Sequence, residues 1–321
     1  MTNQSLTAIE EVLWPRGEKR DVWMILDAAR DRAAFRMLLE CGLEYSCLYS
    51  GTIPPALEIV APYLVQLEYQ DRSTRRFLEQ GWGNSWDILL KCDSGLPKLR
   101  RHLRQFLVVR DPQGKRLVFR YYDPRVLRVY LPTCSTEELR TVFGPIQCFW
   151  TEGKIPENML EFRFNQGKLV HRTLSLAAGV SERNWGLEVQ RDDVPPADAP
   201  RLAGLLAVRA AQIAALSQAE VQKFEDWMIA HIRQFFSKQC GALQESQLRE
   251  LIQYGIKRAA NHGIVSERDV CKFIDLMIVF GRDFDTDKQL PWAGRILANR
   301  RTARSKIRSL YEAAEAHVVR P

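Results

Sequence analysis

The chain has 321 residues, 46% of them apolar and 26% charged, with a formal net charge of +7. That length is enough to bury a sizeable core and suits two domains, and the composition is that of a globular protein. The longest apolar runs, VWMIL (22–26) and LMIVF (276–280), fall far short of the roughly 20 residues that cross a bilayer, so no membrane span is expected.

In chain order, the opening MTNQSLTAIEEVLW lacks a basic segment followed by an apolar one. No signal peptide is read there, and a cytoplasmic location is expected. VWMILDAA (22–29) reads as a strand, followed by a helical pattern from Arg30 to Glu40 that Gly42 stops. EYSCLY (44–49) and APYLVQLE (61–68) read as strands either side of the turn signal GTIPP. RSTRRFLEQGW is a helix ending at Gly81, SWDILLKC (85–92) a strand, and SGLPKLRRHLRQFL a helix with the stripe Leu99, Leu103, Phe106 and Leu107. KRLVFRYYD reads as a further strand, in which alternation sets Phe119, Tyr121 and Asp123 against Arg120 and Tyr122. It ends at a corner where Asp123 suits an N-cap and Pro124 the first helical position. Ser135-Thr-Glu-Glu138 is a capping box, and MLEFRFNQGKLVHRTL (159–174) a hairpin turning at Asn165-Gln166-Gly167.

From about Ser181 the texture changes to a proline-rich, acidic stretch without periodicity. The expected architecture is therefore a mixed α/β layer domain over 1–180, a Pro-rich linker over 181–204 and a smaller all-helical lobe over 205–321. In that lobe Ser217-Gln-Ala-Glu220 predicts a helix start, with Phe224, Trp227, Met228, His231 and Phe235 on one face. A second helix runs from about Glu245 to Ala260. A third is capped by Ser266 and ends at Gly281. A long final helix carries Arg295, Arg300, Arg301, Arg304, Lys306 and Arg308.

Motifs that carry chemistry are scarce. The seven cysteines, Cys41, Cys47, Cys92, Cys134, Cys148, Cys240 and Cys271, include no Cys-x-x-Cys pair and read as reduced, buried thiols. Asp283, Asp285 and Asp287 alternate as in a calcium loop, but Lys288 and Gly294 stand where the loop needs glycine and a bidentate glutamate, so an acidic turn is expected. GWGNSW (81–86) is neither a phosphate loop nor a dinucleotide fingerprint, and Trp82 and Trp86 read as core. His102, His171, His231, His262 and His317 show no metal-ligand spacing with each other or with cysteine, and His231 reads as a satisfied interior or interface residue. No nucleophile elbow and no His-Glu-x-x-His occurs. Neither metal nor other cofactor is expected. The dispersed positive charge allows an acidic partner without demanding one, and the basic final helix reads as a solvated face.

One ordered set of pieces carries a resemblance: Trp86 on a strand, the Leu-Arg-Arg-x-Leu run from Leu99 to Leu103, FRYYDPR from Phe119 to Arg125, and Phe-Gly-Pro from Phe143 to Pro145. Together they resemble the core of the type VI secretion adaptor proteins, also called effector chaperones (Tap or Tec). VWMILDAARD is similar to that family's opening strand, and DFDTDKQLPWAGRIL to its helical-lobe sequence. The resemblance implies a non-enzymatic cytoplasmic adaptor that binds a toxic effector protein and docks it on the VgrG spike, with no small-molecule substrate, no membrane and no nucleic acid. Arg120, Tyr122, Asp123, Arg125 and Trp86 are then the candidate partner-binding residues, with no catalytic residue. A basic nucleic-acid-binding protein and an enzyme with an unrecognised active site stay open as alternatives.

Overall fold

The structure, a computed structural model, describes residues 2–17, 21–178, 185–189 and 206–319. It divides into two compact units, 1–216 and 217–321.

The first unit is built on VWMILD. Every residue of this strand, β1 (Val22–Asp27), is buried, because helices cover both faces of the sheet it centres. The elements that follow are α2 (Arg32–Glu40), β2 (Tyr45–Cys47), α3 (Pro55–Glu58), β3 (Pro62–Leu67), α4 (Arg72–Gly81), β4 (Asp87–Lys91), α5 (Leu96–Arg104), β5 (Val108–Arg110), β6 (Arg116–Val118), α6 (Pro124–Tyr130), α7 (Thr136–Phe143), β7 (Cys148–Glu152), β8 (Asn158–Asn165), β9 (Lys168–Ser175) and β10 (Trp185–Val189). A helix that the sequence pattern did not suggest, α1 (Asn3–Leu13), precedes them. Eight strands form one sheet in the order β10-β9-β8-β7-β4-β1-β3-β2, every adjacent pair antiparallel. β5 and β6 form a separate ribbon.

Strand alternation divides the core in two. Val22, Met24, Leu26, Leu89 and Trp150 pack with α1, α2 and α4 through Ile9, Leu13, Leu38 and Phe77. Trp23, Ile25, Ile88, Leu90 and Phe149 pack on the other face with α5, α6 and α7 through Leu99, Leu103, Tyr130 and Phe143. Each such side chain withdrawn from water contributes about 1.5–3 kcal/mol, so the two layers together hold the sheet. The expected mixed α/β unit followed by a helical one is what the chain forms.

Three local expectations are corrected. The strand KRLVFRYYD stops at Val118, and residues 119–123 turn instead, with Asp123 N–H donating to the Arg120 carbonyl at 3.0 Å. The alternation assigned to Phe119–Asp123 therefore fails: Phe119, Tyr121, Tyr122 and Asp123 are all buried. The helix assigned to Ser217 begins earlier, as α8 (Ala210–Phe235), because Ala210–Leu216 are good helix formers and the Gln212 side chain accepts the Arg209 N–H at 2.8 Å. The long final helix is two, α12 (Pro291–Ala298) and α13 (Ala303–Val319), broken where Asn299 turns extended, with Arg300 and Arg301 in the break.

The range 181–204 lies outside the described residues except for β10, which pairs with β9. Beyond it, residues 206–216 belong to the first unit. Val208 is buried in its core, and Arg209 forks onto Glu138 at 3.0 and 2.9 Å while donating to the Thr133 carbonyl. The units thus divide between Leu216 and Ser217.

The second unit holds the rest of α8, then α9 (Ser237–Cys240), α10 (Glu245–Asn261), α11 (Glu267–Phe280), α12 and α13. Met228, Ile232, Leu248, Ile252, Phe273, Ile274 and Leu310 fill its core. Gly255 lets α10 approach α11 closely, since a Cβ there would stand 2.6 Å from Ile274 Cγ1. Ser266 caps α11 and Gly281, at φ +103°, ends it. No helix among the described residues is long and apolar enough to cross a membrane.

Candidate functional site

Asp-Pro builds the corner at the start of α6. Asp123 accepts the Arg125 N–H at 3.0 Å, and the Arg125 side chain folds back onto the same carboxylate with Nε at 2.8 Å. Burial alone would push the Asp123 carboxyl up; the Arg125 guanidinium outweighs it and holds the group below its ordinary value. Phe119 meets Tyr130 edge-on at 4.8 Å, and the Tyr121 hydroxyl donates to the Leu103 carbonyl at 2.9 Å. Tyr122, only 2% exposed, packs edge-on against Tyr121. Arg120 forms a salt bridge with Asp27, the last residue of β1, which is fully buried while the Arg120 side chain remains 40% exposed. Burial holds the Asp27 carboxyl above its ordinary value against the pull of Arg120.

Arg120, Tyr122, Asp123 and Arg125 therefore do come together, and Asp27 joins them unannounced by the sequence reading. Its only signal is an acid closing an apolar strand, in the same VWMILDAARD piece that carries the resemblance. Trp86 does not join them. Its side chain lies in the core on the opposite face of the sheet, although its carbonyl accepts the Asp27 N–H at 2.7 Å. The corner thus offers a partner mainly the partly exposed guanidiniums of Arg120 and Arg125, held by buried carboxylates.

Beneath the GWGNSW turn a second acidic pair is enclosed. Glu152 accepts from Gly83 N–H at 2.5 Å and from the Ser85 hydroxyl at 2.7 Å. Burial, with the Glu152 charge alongside, pushes the Asp87 carboxyl up to about 8. The turn is a cap, as its glycines suggest: Gly83 takes φ +86°, and Trp82 Nε1 donates to the Pro156 carbonyl at 2.7 Å.

In the second unit, α8 presents Trp227, His231 and Phe235, one helical turn apart, along a single ridge. The five residues expected on one face separate: Phe224 and Met228 enter the core, whereas Trp227 is 53% and Phe235 63% exposed. Two clefts of about 570 and 540 Å³ flank the ridge, sharing His231, Asp275 and Tyr311. Val279 and Val318, both exposed, line the second. The Trp227 ring stacks on His231 at 5.3 Å. This ridge was half legible: the apolar period was visible, but not which of its members the core would leave outside.

His231 Nε2 lies 3.0 Å from Asp275 Oδ1, and Cys271 Sγ stands 3.8 Å from the same nitrogen. This group leaves no metal-ligand spacing in the sequence because it forms across two helices. Burial, with the Asp275 charge beside it, pushes the Cys271 thiol up to about 12, far from a reactive thiolate. The other acidic cluster disperses. Asp283 meets the Tyr254 hydroxyl, Asp285 takes Arg258 and His262 at 2.6 and 2.8 Å, and Asp287 accepts the Gln289 N–H. The seven cysteines form no disulfide, and six are buried.

No curated protein and no solved structure matches the chain. Residues 22–141, from β1 into α7 and including the whole corner, match a protein-family model described as a domain of unknown function, DUF4123.

Proposed function

We propose that this protein is a non-catalytic cytoplasmic adaptor that holds a toxic effector of a type VI secretion system and loads it onto the VgrG spike. The observation that carries this reading is the family match over 22–141, the span that holds most of the ordered adaptor-like pieces, from VWMILDAARD through Trp86 and the Leu-Arg-Arg-x-Leu run to the Asp-Pro-Arg corner. The corner serves as framework: its aromatic side chains are committed to the core and its carboxylates to arginines. The ridge of α8 is the surface suited to a protein partner. Exposed tryptophan and phenylalanine beside concave apolar clefts are the features that dominate binding energy at interfaces. Binding there needs no covalent step, only burial of Trp227 and Phe235 against apolar side chains of the effector.

The test is a pull-down with the tagged full chain from cells that produce it, followed by mass spectrometry at moderate salt. A toxin and a VgrG protein are expected together among the prey. Nucleic acid alone, or neither protein, would overturn the adaptor reading.

A further inference from the structure

The helical unit gathers three chemically different donors around one point. His231 comes from α8; Cys271 and Asp275 lie one turn apart on α11. The separations are 3.0 Å from His231 Nε2 to Asp275 Oδ1, 3.8 Å from that nitrogen to Cys271 Sγ, and 3.9 Å from Cys271 Sγ to Asp275 Oδ2. In a tetrahedral zinc site with bonds of about 2.0–2.3 Å, neighbouring ligand atoms stand roughly 3.3–3.6 Å apart. His231 and Cys271 meet different oxygens of the Asp275 carboxylate, and all three ligand atoms lie within 4.8 Å of one another, so a turn of that carboxylate with small shifts of the other two side chains brings the three donors onto a common ion. Among the described residues this is the group of three or more such side chains that meets ligand spacing.

Two other readings account for less. A Cys-His-Asp relay for nucleophilic catalysis needs the thiol at one ring nitrogen and the carboxylate at the other. Here both meet Nε2, which is how ligands converge on an ion and not how a relay passes a proton. A plain His–Asp pair, with the Cys271 thiol and the Tyr311 hydroxyl donating to Asp275 Oδ2, accounts for the polar contacts but not for imidazole, thiol and carboxylate meeting at ligand spacing on the wall of an open cleft. All three line the cleft of about 570 Å³, so a fourth position opens to it, beside Trp227, Lys272 and Tyr311.

We propose that His231, Cys271 and Asp275 form a zinc-binding site that ties α8 to α11, with its fourth position open to the cleft for water or for a donor atom of a bound partner. The donor set favours zinc: thiolate and imidazole disfavour magnesium and calcium, which take oxygen ligands. Nothing in this inference depends on the adaptor reading, and each can fail alone.

The test uses the metal-free full chain and Co²⁺ as a spectroscopic stand-in for zinc. One Co²⁺ per chain is expected, with a thiolate-to-cobalt charge-transfer band and the intense visible bands of tetrahedral coordination, both erased by added Zn²⁺. Zn²⁺ should also raise the Tm. Cys271→Ser, close in size to the native residue, should abolish the charge-transfer band and weaken zinc binding by about 100-fold, the upper end of what even outer-shell losses cost. Its circular dichroism and metal-free melting must match the parent, and six other cysteines remain as an internal control for stray binding. Trp227→Ala leaves every donor in place and should keep the band. A folded parent chain showing no charge-transfer band in excess Co²⁺, or a Cys271→Ser variant retaining it, overturns the site.

Discussion

Carboxylates stand at strand ends in the first unit: Asp27 closes β1, Asp87 opens β4 and Glu152 closes β7. Each is enclosed. Asp27 takes Arg120 and the Ala29 N–H, Glu152 takes the Gly83–Ser85 turn, and Asp87 is buried against Glu152. The second unit treats its long helix α8 in the opposite way, leaving Trp227 and Phe235 in water over open clefts. Burying a carboxylate costs several kcal/mol unless it is paired or protonated, so the first arrangement, the enclosure of these groups, is accounted for by structure. Exposing two large aromatics adds nothing to a fold, so the second makes sense as a surface awaiting something apolar.

The contrast is sharpest at Arg120. Arg120→Ala leaves Asp27 buried without its countercharge and should cost about 3 kcal/mol, the low end for breaking a buried pair because Arg120 is itself partly solvated. Asp27→Asn should cost less, since an orphaned Arg120 can turn to water, and it should recover most of the loss when added to Arg120→Ala. Burial already holds the Asp27 carboxyl above its ordinary value, and removing Arg120 raises it further. A carboxyl raised in the folded state contributes stability that is complete below its unfolded value and lost as pH rises through its folded value. The Arg120→Ala deficit should therefore be larger at about pH 8 than at about pH 5. Urea midpoints at the two pH values check this; equal deficits would show that Asp27 is not the group left behind.

Asp87 tests the same principle in the intact chain. Its carboxyl sits at about 8 against an ordinary 3.8, through burial first and Glu152 second. Between those values the folded state holds a proton that the unfolded state has released, so this group's contribution to stability falls as pH rises from about 4 to about 8 and is flat above. Asp87→Asn should flatten that part of the stability profile, read from urea midpoints across the range. An unchanged slope would place the titration elsewhere.

What was legible in the sequence was local. β1, β3 and β4 stood out as apolar runs between turn signals. The caps at Asp123, Ser135 and Ser266 stood out because donor and acceptor lie within three residues. The hairpin turn read at Asn165-Gln166-Gly167 is found there, Asn165 pairing with Lys168 while Gln166 and Gly167 take positive φ. The polar partnerships were not legible, because the chain separates them: Asp27 and Arg120 by 93 residues, Glu138 and Arg209 by 71, His231 and Asp275 by 44. Even a local signal misled where two competed. Ser217–Glu220 satisfies a capping pattern, yet the helix-forming run Ala210–Leu216 carries α8 straight through it.

At Trp227 and Phe235 the smallest cost to folding is expected. Both side chains are more exposed than buried, so truncation removes little that the fold uses. The stacking of Trp227 on His231 and the contact of Phe235 with the same ring set an upper bound, since aromatic pairs are worth about 0.5–1.5 kcal/mol. Trp227→Ala and Phe235→Ala should each cost under about 1 kcal/mol, a fraction of the Arg120→Ala loss. Their effect on effector capture should run the other way: the double variant is expected to recover at least about tenfold less toxin from the same pull-down, as loss of a central aromatic hot spot does, whereas Arg120→Ala, once folded, recovers nearly as much as the parent. A double variant that unfolds several kcal/mol early would make the ridge a structural face like the corner. One that folds and still captures the toxin in full would overturn the ridge of α8 as the proposed effector surface and leave its clefts to the proposed metal site.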